Sequence, residues 1–235
     1  YLKLDANYGW MDRLGAELGE LSPLFEVCDV ISAEARKLQR LLNKKWPWVV
    51  DYIPNGYYGF GEVPAEVSFA AKENIILTVG RIGTKEKNNE MLLEAFALAA
   101  KELPSWSLRL AGSVESGFQQ YCAAFFERNP ELAGRICFTG LIMDKERLKE
   151  EYRRAKLFVL TSLCEGGSPN VYSEAALQGC NVIVTDLDAS GDMTGEGQFG
   201  ITVPSEDVQG LAAALLELCR DEERMRENCR KIQTY

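Results

Sequence analysis

The alternation of short aliphatic segments with helical patterns is the feature that most constrains the fold of this chain. From Asn74 onward, each run of β-branched or aliphatic residues is followed by a stretch with helical periodicity. This alternation is typical of a parallel sheet whose strands are joined by crossover helices. The predicted strands are residues 75–79, 108–111, 136–139, 157–161, 182–185 and 200–203. They fit a doubly wound, Rossmann-like α/β domain.

The helix between the first two predicted strands is the most clearly defined by its sequence. Asn88 or Asn89 can cap its first turn, and Pro104 closes it off. Four apolar residues recur at helical spacing and therefore share one face. They are Leu92, Ala95, Phe96 and Ala99.

Residues 1–53 form a different piece, which we interpret as the end of another α/β unit. Its predicted elements are a strand at residues 1–5, a helix at 11–18, a strand around 28–31 and a helix at 34–45. A connector follows at residues 54–73, where Gly, Pro and aromatic residues are frequent. The complete domain then occupies residues 74–235. Because the chain opens on Tyr1 inside a predicted strand, we expect it to be a fragment of a longer protein.

Charge and cysteine content restrict the partners and the compartment. The 26 Lys and Arg against 35 Asp and Glu give a net charge of −9, which argues against nucleic acid as a partner. The seven cysteines are odd in number and contain no C-x-x-C pair, so we expect reduced thiols and neither a metal site nor disulfides. No signal-peptide pattern occurs, and no apolar run approaches the roughly 20 residues that span a bilayer. We expect a cytoplasmic protein; contact with the inner face of the membrane through a missing domain stays open.

Two literal motif matches are poor candidates for a site. Residues 195–200 spell the dinucleotide fingerprint G-x-G-x-x-G, but they precede a predicted strand instead of following one. Asp186 and Asp188 spell a D-x-D metal pair. Their position just after a strand favours a turn with solvated aspartates, because few other oxygen ligands are evident nearby.

The strongest candidate site is the turn between two glutamates, Glu165 and Glu174. The intervening Gly-Gly-Ser-Pro-Asn-Val-Tyr-Ser follows the strand at residues 157–161 and runs into a helix. Open α/β sheets bind ligands at the carboxyl ends of their strands, and the amides at a helix start suit a phosphate. The carboxylates could accept hydrogen bonds from neutral hydroxyls, so the pattern fits a sugar nucleotide. The alternative is a solvated loop acid and a first-turn helix acid.

A basic loop follows the first strand of the complete domain and is the second candidate. It carries Arg81 and Lys87. Basic loop residues are usually just solvated, yet this loop also lies at a carboxyl strand end. Both cations could therefore converge on the phosphate of the first candidate site, the arginine as a bidentate donor and the lysine as a point charge.

Several segments together resemble one enzyme family. In chain order they include Val79-Gly-Arg81, Leu92-Leu-Glu-Ala-Phe96, Phe138-Thr-Gly140, Ser162-Leu-Cys-Glu-Gly166 and Gly179-Cys-Asn-Val-Ile183. These resemble the GT-B retaining glycosyltransferases of family 4 (glycosyl transferases group 1), over nearly the whole chain. The resemblance implies one GT-B half, with residues 74–235 as the nucleotide-sugar (donor) domain. Residues 1–53 would be a remnant of the acceptor-side domain, and residues 54–73 the linker.

The same resemblance implies roles for individual residues. Arg81 and Lys87, beside Gly80, would neutralise the nucleotide diphosphate. Glu165 would lie near the donor sugar, and Glu174 would hold the ribose hydroxyls. The remaining donor-binding positions are Gly166, Gly167, Asn170 and Val171 around the phosphates, and Gly140, Leu141 and Ile142 beside the base.

The chain departs from the family pattern in three respects. Eight residues separate Glu165 from Glu174, one more than in the family. Arg81 and Lys87 are likewise one residue further apart than is usual. The chain contains no histidine, although the amino-terminal domain of family members usually carries a functional one.

The implied reaction is metal-independent transfer of a hexosyl group, with retention, from a nucleotide-diphosphate sugar to an acceptor. The acceptor is open among polysaccharide, lipid and small molecules, and no cofactor is implied. We expect this chain alone to bind the nucleotide without useful turnover. Two alternatives remain: a non-catalytic sugar-nucleotide binding or regulatory module, and a metal-dependent transferase using Asp186 and Asp188.

Overall fold

Two parallel sheets organise the chain. A computed structural model describes residues 1–15, 18–56 and 66–234. The smaller sheet has the order β1-β2-β3, and both of its strand pairs are parallel. Its strands are β1 (Leu2–Leu4), β2 (Ile31–Ala33) and β3 (Asp51–Tyr52).

The larger sheet has six strands in the order β6-β5-β4-β7-β8-β9, all parallel. They are β4 (Glu73–Val79), β5 (Ser107–Ala111), β6 (Ile136–Gly140), β7 (Ala155–Leu160), β8 (Asn181–Thr185) and β9 (Gly200–Val203). Successive strands extend outward from β4 in one direction and then from β7 in the other. This is the doubly wound order of a Rossmann-like sheet, with its switch point between β4 and β7. The predicted α/β, Rossmann-like fold class and its six strands are confirmed.

Helices precede or follow most strands. They are α1 (Tyr8–Leu14), α2 (Leu18–Glu26), α3 (Arg36–Lys45), α4 (Asn89–Ala99), α5 (Ser116–Arg128), α6 (Lys145–Arg154), α7 (Asn170–Leu177), α8 (Ser190–Thr194), α9 (Val208–Arg220) and α10 (Glu222–Ile232). Short 3₁₀ turns lie at Phe69–Ala71, Lys85–Lys87 and Pro130–Leu132. Within the described residues, no helix is long and apolar enough to cross a membrane.

The larger sheet is buried on both faces, as its continuous aliphatic strands predict. On β4, Ile76 belongs to the core cluster that contains residues of α4 and α9, while Ile75 and Leu77 belong to the opposite cluster. That opposite cluster also contains residues of the smaller sheet and of α3, such as Ala33 and Leu38. The two sheets therefore share a hydrophobic core. A fully buried side chain such as Leu77 contributes about 1.5–3 kcal/mol to it.

The amino-terminal elements differ in detail from the sequence prediction. The strand predicted around residues 28–31 lies at Ile31–Ala33, because its register is set by pairing with Leu2–Leu4. The helix predicted at 34–45 begins at Arg36, and that predicted at 11–18 ends at Leu14. Helix α2 and strand β3 were missed. Residues 57–65 of the predicted connector lie outside the described residues, and the proposed domain limits stay predictions.

The predicted cap position of α4 is confirmed at Asn88, but the capping hydrogen bond from its side chain is not formed. Asn88 is the cap residue, but its φ is 45° and its side chain makes no capping hydrogen bond. Asn89 is buried, and its Oδ1 accepts the Gly83 N–H at 2.7 Å. The Asn89 side chain thus holds the loop before the helix, whereas Asn88 Nδ2 donates to Met91 Sδ in the first turn of the helix at 3.7 Å. The apolar face of α4 is confirmed, with all four predicted residues buried.

Candidate functional site

The loops after β4 and β7 meet at the switch point of the larger sheet. The two strands are neighbours, with Leu77 opposite Phe158. Two hydrogen bonds then join the loops that leave them. The Leu163 N–H donates to the Glu86 carbonyl at 2.7 Å, and Thr161 Oγ1 donates to the Lys87 carbonyl at 2.9 Å. The basic loop and the glutamate turn are therefore one structural unit.

Lys87 and Glu165 form an ion pair at the centre of this unit. Lys87 Nζ and Ser162 Oγ both donate to Glu165 Oε1. The lysine and glutamate side chains are only 18% and 13% exposed, so solvent screens the pair less than an ordinary surface pair. Ser162 is buried, and its carbonyl accepts Thr185 Oγ1 at 2.6 Å. A partly shielded cation is thus held at the carboxyl edge of the sheet by a carboxylate.

Two glycines, Gly80 and Gly112, lie where the ends of β4 and β5 approach each other. A Cβ on Gly80 would lie 3.7 Å from Lys87 Cε, so the lysine side chain passes next to this glycine. Gly112, at the end of β5, has φ +147°, and a Cβ there would collide with the Gly80 carbonyl oxygen. The Gly80 N–H also donates to the Ala111 carbonyl at 3.0 Å. Close approach of these two strand ends therefore requires glycine at position 112.

Arg81 is not brought to the Lys87–Glu165 pair. Its guanidinium lies 3.8 Å from the Glu86 carboxylate, and its side chain is 63% exposed. The predicted convergence of the two cations is thus not present in this structure. The long arginine side chain is solvent-exposed and is not locked in place by packing.

Helix α7 follows the Gly-rich turn, but it begins at Asn170, four residues before the start predicted at Glu174. Pro169 is its cap residue, and the first helical amides belong to Asn170 and Val171. Within the described residues neither amide donates to an acceptor, as expected for the first turn of a helix. Gly167 adopts φ +107° in the turn before it. Two free amides and the positive helix end therefore lie close in sequence to Glu165, where they could bind an anion.

Glu174 lies on α7 and is held by a residue that the sequence reasoning missed. The hydroxyl of Tyr152 donates to Glu174 Oε2 at 2.8 Å. Burial, together with the neighbouring Glu174 carboxylate, raises the pKa of Tyr152 well above its usual range. The tyrosine therefore stays protonated and remains a donor. No local pattern marks Tyr152, because it reaches Glu174 from another helix.

Glu34 is a second residue that was missed, and it joins the smaller sheet to the Gly-rich turn. Its Oε2 accepts the Ser168 N–H and Asn55 Nδ2, both at 2.9 Å, and its other oxygen pairs with Lys3. Glu34 is fully buried. Its position directly after a parallel strand was the available signal. The helix predicted from residue 34 obscured it.

The predicted base-binding residues lie at the end of β6. Gly140 has φ +69°, and its carbonyl accepts the Gly112 N–H at 3.0 Å. Leu141 is 64% exposed, whereas Ile142 packs partly against the core shared by the two sheets. An exposed apolar side chain is therefore presented next to a left-handed glycine at the same edge of the sheet.

The two discounted motifs serve structural roles. Gly195 ends α8 in a left-handed conformation, and the following residues lead into β9, so residues 195–200 do not open a helix. Asp188 Oδ2 accepts the Tyr8 N–H, and Asp186 lies 3.7 Å from Lys37 Nζ. Both aspartates thus contact the amino-terminal segment.

Comparisons with known proteins identify the family of this chain. Residues 73–221 match the family model described as Glycosyl transferases group 1. The phosphatidyl-myo-inositol mannosyltransferase of Mycolicibacterium smegmatis is 26% identical over 173 residues, which cover 73% of this chain and 43% of that protein. The poly(glycerol-phosphate) alpha-glucosyltransferase of Bacillus subtilis is 26% identical over 161 residues, covering 68% and 23%. The chain therefore spans less than half the length of these relatives.

A solved structure shares the fold over almost the whole chain. Anabaena Alr3699/HepE, solved in complex with UDP, superposes with a TM-score of 0.76 at 18% identity, covering 99% of this chain and 65% of that one. This likeness supports the GT-B architecture. The family match spans the larger sheet from β4 to the end of α9 and so contains the glutamate turn and the basic loop. On this match, the chain belongs to the glycosyl transferases group 1 family.

Proposed function

We propose that the full-length protein is a metal-independent, retaining glycosyltransferase of family 4 that transfers a hexosyl group from a nucleoside-diphosphate sugar. In this proposal residues 74–235 are the donor domain, residues 1–53 belong to the acceptor-side domain, and residues 54–73 link them. The observation that carries the proposal is the partly shielded Lys87–Glu165 pair at the switch point of the larger sheet. A lysine held there by a single carboxylate can exchange that partner for a diphosphate.

The charges around the pair fit a leaving diphosphate. Lys87 would bind it as a point charge, together with the free amides of Asn170 and Val171. Arg81 would rotate away from Glu86, which its exposed side chain permits. These groups would stabilise the negative charge that grows on the leaving group, the kind of electrostatic term that is usually the largest in catalysis.

The neighbouring groups fit the rest of a sugar nucleotide. Glu174 would accept hydrogen bonds from the ribose hydroxyls, and Glu165, once released by Lys87, would orient the donor sugar. Gly166 and Gly167 would let the chain approach the phosphates closely. Gly140, Leu141 and Ile142 would lie beside the base. The UDP present in the related Anabaena structure makes uridine diphosphate the first ligand to test.

The donor site can be tested on this chain by calorimetric titration with UDP, GDP and ADP, which measures the affinity for each nucleotide. Lys87→Met removes the cation, and we expect affinity for the tightest of the three to fall about 10- to 100-fold, since a hydrogen bond to a charged group contributes about 1.5–3 kcal/mol. Lys85→Met is the matched control, because Lys85 is an exposed lysine of the same 3₁₀ turn. Equal affinities in the two variants, or no binding of any of the three nucleotides, would refute the assignment.

The sugar-transfer reaction itself is tested on the full-length protein. We expect transfer from the matching nucleotide sugar to survive chelation of divalent metals, and the product to keep the anomeric configuration of the donor by NMR. Glu174→Gln should lower turnover. Loss of activity with chelator would instead favour the metal-dependent alternative, and inversion at the anomeric carbon would contradict retention.

A further inference from the structure

We infer that Tyr152 is a positioning residue for the donor site, fixing the Glu174 carboxylate in the orientation that receives the ribose. This inference rests on the proposed function and extends it to a residue on a different helix. Tyr152 lies in the last turn of α6, and its hydroxyl donates to Glu174 Oε2 at 2.8 Å. The tyrosine therefore connects the last turn of α6, just before the amino end of β7, to the middle of α7.

Tyr152 is anchored at both ends, which makes it a rigid support. Its ring is 1% exposed and packs against Phe158 of β7, with ring centroids 6.1 Å apart. Its carbonyl accepts the buried Lys72 Nζ at 3.3 Å and Cys180 Sγ at 3.1 Å. Main chain, ring and hydroxyl are thus each held by a different contact. A hydroxyl so fixed defines where the partner oxygen lies.

The partner carboxylate is free to bind a ligand through its other oxygen. Within the described residues, Glu174 Oε1 receives no side-chain or amide hydrogen bond, and the residue is only partly buried. A glutamate without the tyrosine would sample several rotamers, and ordering it on binding would cost entropy. The hydrogen bond removes this cost in advance, as supporting contacts do at preorganised sites.

A purely structural role makes a different prediction from a positioning role. A buried tyrosine needs a partner for its hydroxyl, and Glu174 would satisfy it even without any ligand. Removing the hydroxyl would then lower stability and affect every nucleotide equally. A positioning role instead affects only ligands whose ribose hydroxyls reach Glu174. The two roles are therefore separated by comparing a ribonucleotide with its dideoxy counterpart.

The experiment measures the affinity of this chain for the tightest of UDP, GDP and ADP and for the matching 2′,3′-dideoxynucleoside diphosphate. We expect Tyr152→Phe to weaken the ribonucleotide about 10-fold, the equivalent of one hydrogen bond to a charged group, and to leave the dideoxynucleotide unchanged. The effect should vanish in a Glu174→Gln background, because the two residues act as one unit.

Tyr121→Phe is the matched control. Its hydroxyl also donates to a glutamate on a neighbouring helix, Glu94 at 2.7 Å, but on α5 and α4, away from the glutamate turn. Tyr121→Phe should alter neither the affinity for the ribonucleotide nor that for the dideoxynucleotide. Thermal unfolding of both variants reports whether each remains folded.

The outcomes separate the inference from the function on which it rests. Equal weakening of both nucleotides by Tyr152→Phe, or an effect that persists in the Glu174→Gln background, overturns the positioning role while leaving the donor site intact. An unsubstituted chain that binds the ribonucleotide and the dideoxynucleotide equally overturns the ribose role of Glu174, and the inference with it. If Tyr152→Phe is unfolded, the hydroxyl is a structural requirement of the fold, and the positioning role is overturned.

Discussion

Replacing Glu34 by alanine should destabilise the protein, because this carboxylate joins the smaller sheet to the Gly-rich turn. Glu34 is fully buried and accepts the Ser168 N–H and Asn55 Nδ2, both at 2.9 Å. It also pairs with Lys3, and that hydrogen bond raises the pKa of the lysine. Glu34→Ala removes all three contacts and leaves the Ser168 amide without its acceptor.

The expected magnitude follows from these contacts. Each hydrogen bond to a charged acceptor contributes about 1.5–3 kcal/mol. The gain is partly offset, because burying the carboxylate carries a desolvation cost that the alanine does not. Lys3 is partly exposed and can return to water, so it adds little. We therefore expect Glu34→Ala to lower the free energy of unfolding by about 2–4 kcal/mol.

Urea denaturation of this chain, monitored by tryptophan fluorescence, measures the change. Glu131→Ala is the control, because Glu131 is exposed, and a surface substitution should shift the free energy of unfolding by no more than about 0.5 kcal/mol. Glu34→Gln keeps one amide oxygen for Ser168 and should fall between the two. A Glu34→Ala free energy equal to that of Glu131→Ala would show that desolvation cancels the contacts, and the reasoning would fail.

Two further predictions concern the larger sheet. Gly112→Ala should lower the free energy of unfolding by at least about 2 kcal/mol, because the added Cβ would collide with the Gly80 carbonyl and the φ of residue 112 is unfavourable for alanine. Gly134→Ala is the control, since a Cβ there meets open space, and it should change the free energy of unfolding little. Thermal melts of both variants measure the difference. Burial raises the pKa of Cys180 to about 11, above the roughly 8.5 of an unfolded thiol. Thiolate formation thus favours the unfolded state, and the stability of the unsubstituted chain relative to Cys180→Ala should fall as pH rises from about 8.5 to about 11. A constant difference across that range would contradict the burial argument.

The larger sheet was predictable from the sequence because its strands are buried on both faces. Such strands appear as continuous aliphatic runs, and all six were located to within two residues. The smaller sheet was less predictable, since its strands have only two or three residues and their register depends on one another. Its second strand accordingly lies at Ile31–Ala33 and not around residues 28–31.

The sequence by itself determined the fold class and the family pattern, and it predicted Lys87, Glu165 and Glu174 as candidate site residues. These follow from local patterns of side chains at the ends of strands. Only the tertiary structure decided which side chains meet: Lys87 pairs with Glu165 while Arg81 turns to Glu86, and Tyr152 and Glu34 reach the glutamate turn from distant elements. The physical reason is that such contacts depend on how strands and helices pack, and residues far apart in the chain leave no local signal of their proximity.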